Sequence, residues 1–542
     1  MATALRTCIA LASASWLACG GAPDAAPIEL VQGELLTNPT EHGVDVVLLS
    51  DEPMEYAAEI VAADGATSRT PVRSAGAREL ALVRIEGLEP GSEYTARVRL
   101  RRPGDLRFEE REPLRFRTLR VDRDAVVRFA YAADSHITGR FMKVSCGRGD
   151  EHETAIENFR RTVRHIAAAD VDFAIAAGDN FMTHAPKMQS CPGVEAYGSG
   201  TVRTAAQADL RYELALSPDF LGGIARSVPM LYVLGNHDGE ARFGDDAGSH
   251  GHFRDTRALS RAARLRHLPD PVLRYPGSRE GLYYTFTSGD ARFIVLDVMA
   301  GPDDYPRTAA DWTLGEAQLA WFERVVRSDR RSWTFVFAEH LVGGFSNPDA
   351  SRVEGGRAYH YGRGGLQSTL DETPRSAFRG EQATLQQIMR ENGVDVFFHA
   401  HDHVAVVGEK LAPDGSGEGV FYALGGQASG DGRGPSWQDQ PWFRARMDYD
   451  GDGAADFLGD RTGTLSPGFY RVTVRGRERI DLAYVGSDAD PARDGKVVFQ
   501  VSIFPDGTSN LADLRAAKST TATKPAAENA VTAAAGARQG GR

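Results

Sequence analysis

From Val126 onward the chain repeats one pattern, a short apolar run closed by a polar patch. The runs are Val126 to Ala133, Val171 to Ala177, Met230 to Leu234, Phe293 to Val298, Trp333 to Ala338, Val394 to Phe398 and Val420 to Leu424. Each is too short for a helix and apolar almost throughout, as expected of buried strands. Between them the apolar period lengthens. Thr154 to Ala169 places Ile156, Phe159, Val163 and Ile166 on one helical stripe, and Thr313-Leu314-Gly315-Glu316 can cap a further helix, with Thr313 and Glu316 bonding reciprocally. Buried strands alternating with amphipathic helices predict a layered α/β domain. Its Asp, Asn and His residues cluster just after strand ends, where the strand-end loops of open α/β sheets converge on ligands.

The region before Val126 differs. Residues 28–118 alternate apolar and polar side chains over short stretches, among them Val44 to Leu49 and Tyr94 to Leu100, with turn residues between them. Leu88-Glu89-Pro90-Gly91-Ser92-Glu93-Tyr94 resembles the corner sequence of fibronectin type III domains, in which the tyrosine hydroxyl pins the turn between two strands. At 542 residues the chain exceeds one core. The expected organisation is a leader and linker over 1–27, a small fibronectin type III-like β-sandwich over 28–118, a catalytic α/β domain over 124–510, and a disordered tail over 511–542 that is rich in Ala, Thr, Lys and Gly.

Arg6, the apolar run Cys8 to Leu17 and the small residue Ala18 read as an export signal. Trp16-Leu17-Ala18-Cys19-Gly20-Gly21 resembles a bacterial lipoprotein box, which would lipidate Cys19 and anchor the protein in the cell envelope. Trp16 stands where that box usually has Leu, so ordinary secretion is the alternative. Beyond the leader two cysteines remain, Cys146 and Cys191, a candidate disulfide in an oxidising compartment. A formal net charge of -12 argues against nucleic acid as a partner, because phosphate-backbone binding needs clustered Lys and Arg.

Five patches carry the chemistry: Asp134-Ser135-His136, Gly178-Asp179-Asn180, Gly235-Asn236-His237-Asp238, His340 and Ala400-His401-Asp402-His403. Hard carboxylate oxygens together with imidazole nitrogens suit Mn, Fe or Zn. In order and spacing the patches resemble the calcineurin-like metallophosphoesterases. The resemblance implies an α/β/β/α sandwich that binds two divalent or trivalent metal ions and cleaves phosphoesters by direct attack of a metal-bridging hydroxide. It also implies that Asp134, His136 and His403 hold the first metal, that Asn236, His340 and His401 hold the second, and that Asp179 bridges them. His237 would assist the leaving group, with Asp238 orienting it.

The layout, with a β-sandwich ahead of the catalytic domain, is similar to purple acid phosphatases, which makes phosphomonoesters the first expected substrates. Met182 stands where those enzymes have their colour-giving tyrosine, and His136 is a further departure from them. A phosphodiesterase or nucleotide hydrolase on the same site is the alternative, and a surface-binding lipoprotein with a vestigial site is a third reading. The last motif offers two His-x-His pairs. Similar enzymes begin this strand with Val-Asp, and matching Val394-Asp395 to it makes His401 and His403 the ligands and leaves His399 in the strand.

Asp448, Asp450, Asp452 and Asp456 are spaced like the start of an EF-hand calcium loop, with Gly453 at its sixth position and Gly459 in place of the closing carboxylate. Weak calcium binding is the expectation. His184, His250, His252, His360, Arg357 and Arg363 read as solvated loop residues around the expected site, with contact of one of them to substrate as the alternative, since Arg suits bidentate phosphate recognition.

Overall fold

The computed structural model describes residues 26–137, 149–184, 196, 200–240, 253–278, 281–297, 314–328, 330–339, 381–401, 403, 405–411, 417–430 and 466–511. Cys19, Cys146, Cys191, His340, Thr313, the calcium-like loop with Asp448, Asp450, Asp452 and Asp456, and His250, His252, His360, Arg357 and Arg363 lie outside these residues.

Two large sheets form the catalytic unit. The first runs in the order Val497–Ile503, Arg479–Gly486, Gly468–Arg475, Val126–Ala133, Phe173–Ala177, Met230–Val233, Leu35–Thr40, Gly43–Leu48 and Ala81–Ile85. The second runs Gly277–Ser278, Tyr283–Ser288, Ala291–Val295, Trp333–Phe337, Val396–His399, Gly417–Leu424 and Val406–Leu411. Both have parallel centres: Phe129 pairs Phe173 and Ala174 pairs Met230 in the first, and Phe293 pairs Phe335 and Phe337 pairs Phe398 in the second.

Strand parity explains why the sheets stack. Phe293, Phe335, Phe337 and Phe398 face Phe129 and Phe173 of the other sheet, with ring centroids such as Phe129–Phe293 at 5.4 Å and Phe173–Phe293 at 5.2 Å. The alternate residues Ile294, Val336 and Phe397 point the other way, onto Phe322 and Val326 of the helix Gly315–Arg327 and Leu385 and Met389 of the helix Glu381–Glu391. Phe159, Val163 and Ile166 of the helix Gly149–Ala167 cover the far face of the first sheet. The layers are therefore α/β/β/α, and strands buried on both faces read as unbroken apolar runs for that reason. The helix expected to start at Thr313 begins at Gly315, with Leu314 in the capping position and no side-chain cap bond.

The strands of residues 28–118 enclose a core of their own around Val46, Tyr56, Val83, Val98 and Phe116. The Tyr94 hydroxyl accepts the Glu89 N–H at 2.9 Å, so the corner is pinned as the sequence suggests. The sandwich is not a separate bead, because one of its sheets continues the catalytic sheet. Leu35–Thr40 lies parallel to Met230–Val233, with Thr37 opposite Met230 and the Thr37 hydroxyl donating to the Met230 carbonyl at 2.8 Å.

A buried carboxylate strengthens the join. Asp172, fully buried, accepts from Arg117 at 2.7 Å, from Arg120 at 3.2 Å and from the Arg128 N–H at 2.9 Å. Asp172→Ala removes the acceptor shared by Arg117, Arg120 and the Arg128 N–H and leaves Arg117 only its more exposed partners Glu93 and Asp170, so it is expected to cost about 2–3 kcal/mol in urea unfolding. An unchanged midpoint would show that the cluster contributes nothing. No helix among the described residues is long and apolar enough to cross a membrane.

Candidate metal centre

Asp134 follows the strand Val126–Ala133, Asp179 follows Phe173–Ala177, Asn236 follows Met230–Val233, and His401 and His403 follow Val396–His399. All these strands end at one rim of the two sheets. To bring the side chains inward the chain must turn sharply there. Asp134, His136, Asp179, His401 and His403 take φ of 51°, 47°, 45°, 73° and 61°. Left-handed backbone is uncommon for residues with a Cβ, and such strain collects at functional sites where surrounding packing enforces it. Gly235 makes room for the turn, since a Cβ there would strike the Asp179 amide and carboxylate.

The donor atoms fall into three groups, and Asp179 belongs to two of them, once with His136 and His237 and once with Glu339 and His401. Asp134, His136 and His403 form one, with His403 Nε2 3.1 Å from His136 Nε2 and 3.6 Å from Asp134 Oδ1. His136 Nε2 also lies 3.4 Å from Asp179 Oδ2. On the other side Asp179 groups with Glu339 and His401, and His401 Nδ1 lies 2.8 Å from Asn236 Oδ1. Asp134 further accepts the His401 N–H at 2.9 Å, tying the two motifs together. The described residues thus bring together six of the seven sequence-assigned ligands; His340, the seventh, lies outside them.

This donor set fits metal ions. Asp134, Asp179 and Glu339 are buried to 1% exposure or less, and three carboxylates held together at low dielectric require counter-charge. Paired imidazole nitrogens and carboxylate oxygens are the donors that borderline divalent cations prefer. The site opens on the His403 side, where the side chain is 34% exposed against 14% for His136 and 12% for His401.

His237 sits beside this centre, its ring 5.4 Å from that of His136 and its backbone N–H donating to Asp179 Oδ1 at 2.6 Å. The group orienting its imidazole is not Asp238, the residue expected from the resemblance. His237 Nδ1 donates to the His184 carbonyl at 2.7 Å, whereas Asp238 turns back to accept from the Phe181 N–H at 2.8 Å and the Gly235 N–H at 2.9 Å. Asp238 therefore ties two ligand loops together. Burial, then the nearby charge of Asp179, pushes its carboxyl well above the usual range, and the backbone donors oppose that shift.

His184 is likewise not a solvated loop residue. It is 4% exposed, and its ring meets Thr201 Oγ1 at 3.2 Å. Met182 is buried beside this loop.

Sequence reasoning missed Glu339. It precedes the assigned His340 and lies two residues past the fully buried strand Trp333–Phe337, so strand parity was the signal that would have exposed it. The backbone carbonyl of His184 had no such signal, because a main-chain acceptor leaves no trace in residue identity.

The family model of calcineurin-like phosphoesterases matches residues 127–405. Among solved structures, PhoD aligns with a TM-score of 0.60 at 14% identity, covering 90% of this chain and 92% of PhoD. Purple acid phosphatase PPD1 from yellow lupin (Lupinus luteus) seeds aligns with a TM-score of 0.53 at 15% identity, covering 87% of this chain and 74% of that one. At these identities the likeness is one of fold. No curated protein matches the sequence.

Proposed function

The chain belongs to the calcineurin-like phosphoesterase family and is a metal-dependent phosphoesterase, and from that premise we propose that it hydrolyses phosphomonoesters of small molecules at a two-metal centre. The observation that carries this reading is that one carboxylate, Asp179, joins two donor groups, one with His136 and His237 and one with Glu339 and His401. Bound there, two cations would activate water and offset negative charge on the phosphorus-bound oxygens.

The chain's own residues supply the rest. Asp134, His136 and His403 would hold one cation, Asn236 and His401 the other together with His340, which the resemblance assigns there, and Asp179 both. His237 keeps one proton on Nδ1 against the His184 carbonyl, which leaves Nε2 to face the substrate. When protonated, Nε2 can donate to the departing alkoxide, a role supported by the closeness of its ring to that of His136, 5.4 Å away. The exposed edge at His403 gives substrate its entry. Export through the leader, lipidation at Cys19 and calcium binding at Asp448 to Asp456 belong to the same proposal, which places the enzyme at the cell envelope.

The test is metal analysis of the purified full chain, followed by a panel of phosphomonoesters and phosphodiesters at equal concentration. About two equivalents of Mn, Fe or Zn and a monoester preference of at least about tenfold in kcat/KM are expected, a gap of roughly 1.4 kcal/mol. Diester preference would replace the substrate reading. Two bound metals with no turnover of either class would favour a binding protein.

A further inference from the structure

The strand Trp333–Phe337 sits between Ala291–Val295 and Val396–His399, and its backbone pairing continues past its last residue. Ala338 N–H donates to the Phe398 carbonyl at 3.0 Å, and Ala400 N–H donates to the Glu339 carbonyl at 2.9 Å. Glu339 is therefore held in extended register beside the residue that precedes His401. Parity then sets its direction. Phe335 and Phe337 face the space between the sheets, while Val336 and Ala338 face the helix layer. Glu339 belongs to the first set, and at this rim the space between the sheets is the metal centre.

The side chain follows that geometry. Glu339 is fully buried, and its carboxylate groups with the donor atoms of Asp179 and His401, all within 4.8 Å of one another. Its Oε1 lies 4.0 Å from His401 Nδ1. The carboxylate rests on the α-carbon of Gly178, where any Cβ would fall directly on it, so Gly178 leaves the space that Glu339 fills.

We propose that Glu339 is a direct carboxylate ligand of the second metal, completing a set with Asp179, Asn236 and His401. This rests on the two-metal reading above. The family-derived ligand set has no glutamate, so the second position of this chain is richer in oxygen than that set implies. Oxygen-rich positions favour harder cations, so Mn or ferric iron is expected there ahead of Zn. A third carboxylate also lowers the net positive charge that two cations leave in the pocket.

The experiment is calorimetric titration of Mn2+ into the chelator-stripped full chain, wild type against Glu339→Gln, with melting curves with and without metal. Wild type should take up two Mn2+. Glu339→Gln should keep the first and weaken the second by more than about 100-fold, beyond the range typical for residues that only support a ligand. Its metal-free melting point should not fall, because the substitution removes one of several crowded negative charges, while the metal-induced gain should shrink. Two Mn2+ bound with wild-type affinity would overturn the assignment. If the Gln variant does not fold, Glu339→Asp keeps the charge and shortens the reach. It should weaken only the second Mn2+, and two unchanged sites in that variant would equally overturn the assignment. Wild type that takes up no second Mn2+ would defeat the two-metal reading itself.

Discussion

Asp179→Asn is expected to lower kcat by at least about 1,000-fold, roughly 4 kcal/mol of transition-state stabilisation, and to reduce bound metal below two equivalents. The reason is that this one carboxylate faces both donor groups. Its Oδ2 lies 3.4 Å from His136 Nε2, and its donor atom also groups with those of Glu339 and His401. A carboxylate can offer an oxygen to each of two cations while contributing negative charge to both. An amide offers one oxygen and turns an NH2 toward the other position, where a donor is wanted least. The loss spreads further, because Asp179 Oδ1 also accepts the His237 N–H at 2.6 Å and so helps fix the residue that faces the leaving group. Elemental analysis and kcat on one preparation check this, with circular dichroism confirming the fold. Near-normal turnover would remove Asp179 from its bridging place.

Most of this centre was legible in the sequence because its residues obey strand-end logic. Asp134, Asp179, Asn236 and His401 each follow a largely apolar run, as strands buried on both faces produce. Where the sequence misled, contacts remote along the chain were responsible. Asp238 is next to His237, yet its partners are Gly235 and Phe181, and the carbonyl that orients His237 comes from His184. The paired acids and histidines made His340 stand out by type, whereas Glu339 is distinguished by parity and by the gap over Gly178. Likewise the alternation in residues 28–118 marks a β-sandwich, but no pattern in Leu35–Thr40 announces that this strand completes the catalytic sheet beside Met230–Val233. Pairing partners across some 190 residues are set by tertiary packing, which local periodicity does not encode.

The register of the last motif gives the second large effect. His401→Ala or His403→Ala is expected to lower kcat/KM by about 1,000-fold and to reduce bound metal, whereas His399→Ala should stay within about tenfold of wild type and keep both metals. His399 is the last residue of the strand Val396–His399 and shares a face with Phe397, whose ring lies 5.8 Å away. That face turns to the helix layer, away from the metal centre. There burial pushes its imidazole down to about 3, so it stays neutral, and its Nδ1 finds no hydrogen-bond partner among the described residues. Beyond Ala400 the backbone enters left-handed conformations at His401 and His403, and both rings swing into the site. His401 Nδ1 then lies 2.8 Å from Asn236 Oδ1, and His403 Nε2 lies 3.1 Å from His136 Nε2. His399→Ala should therefore act on packing, costing about 1–3 kcal/mol in urea unfolding with unchanged metal content. If His399→Ala instead strips a metal while His403→Ala retains both, the ligand pair must move back by two residues to His399 and His401.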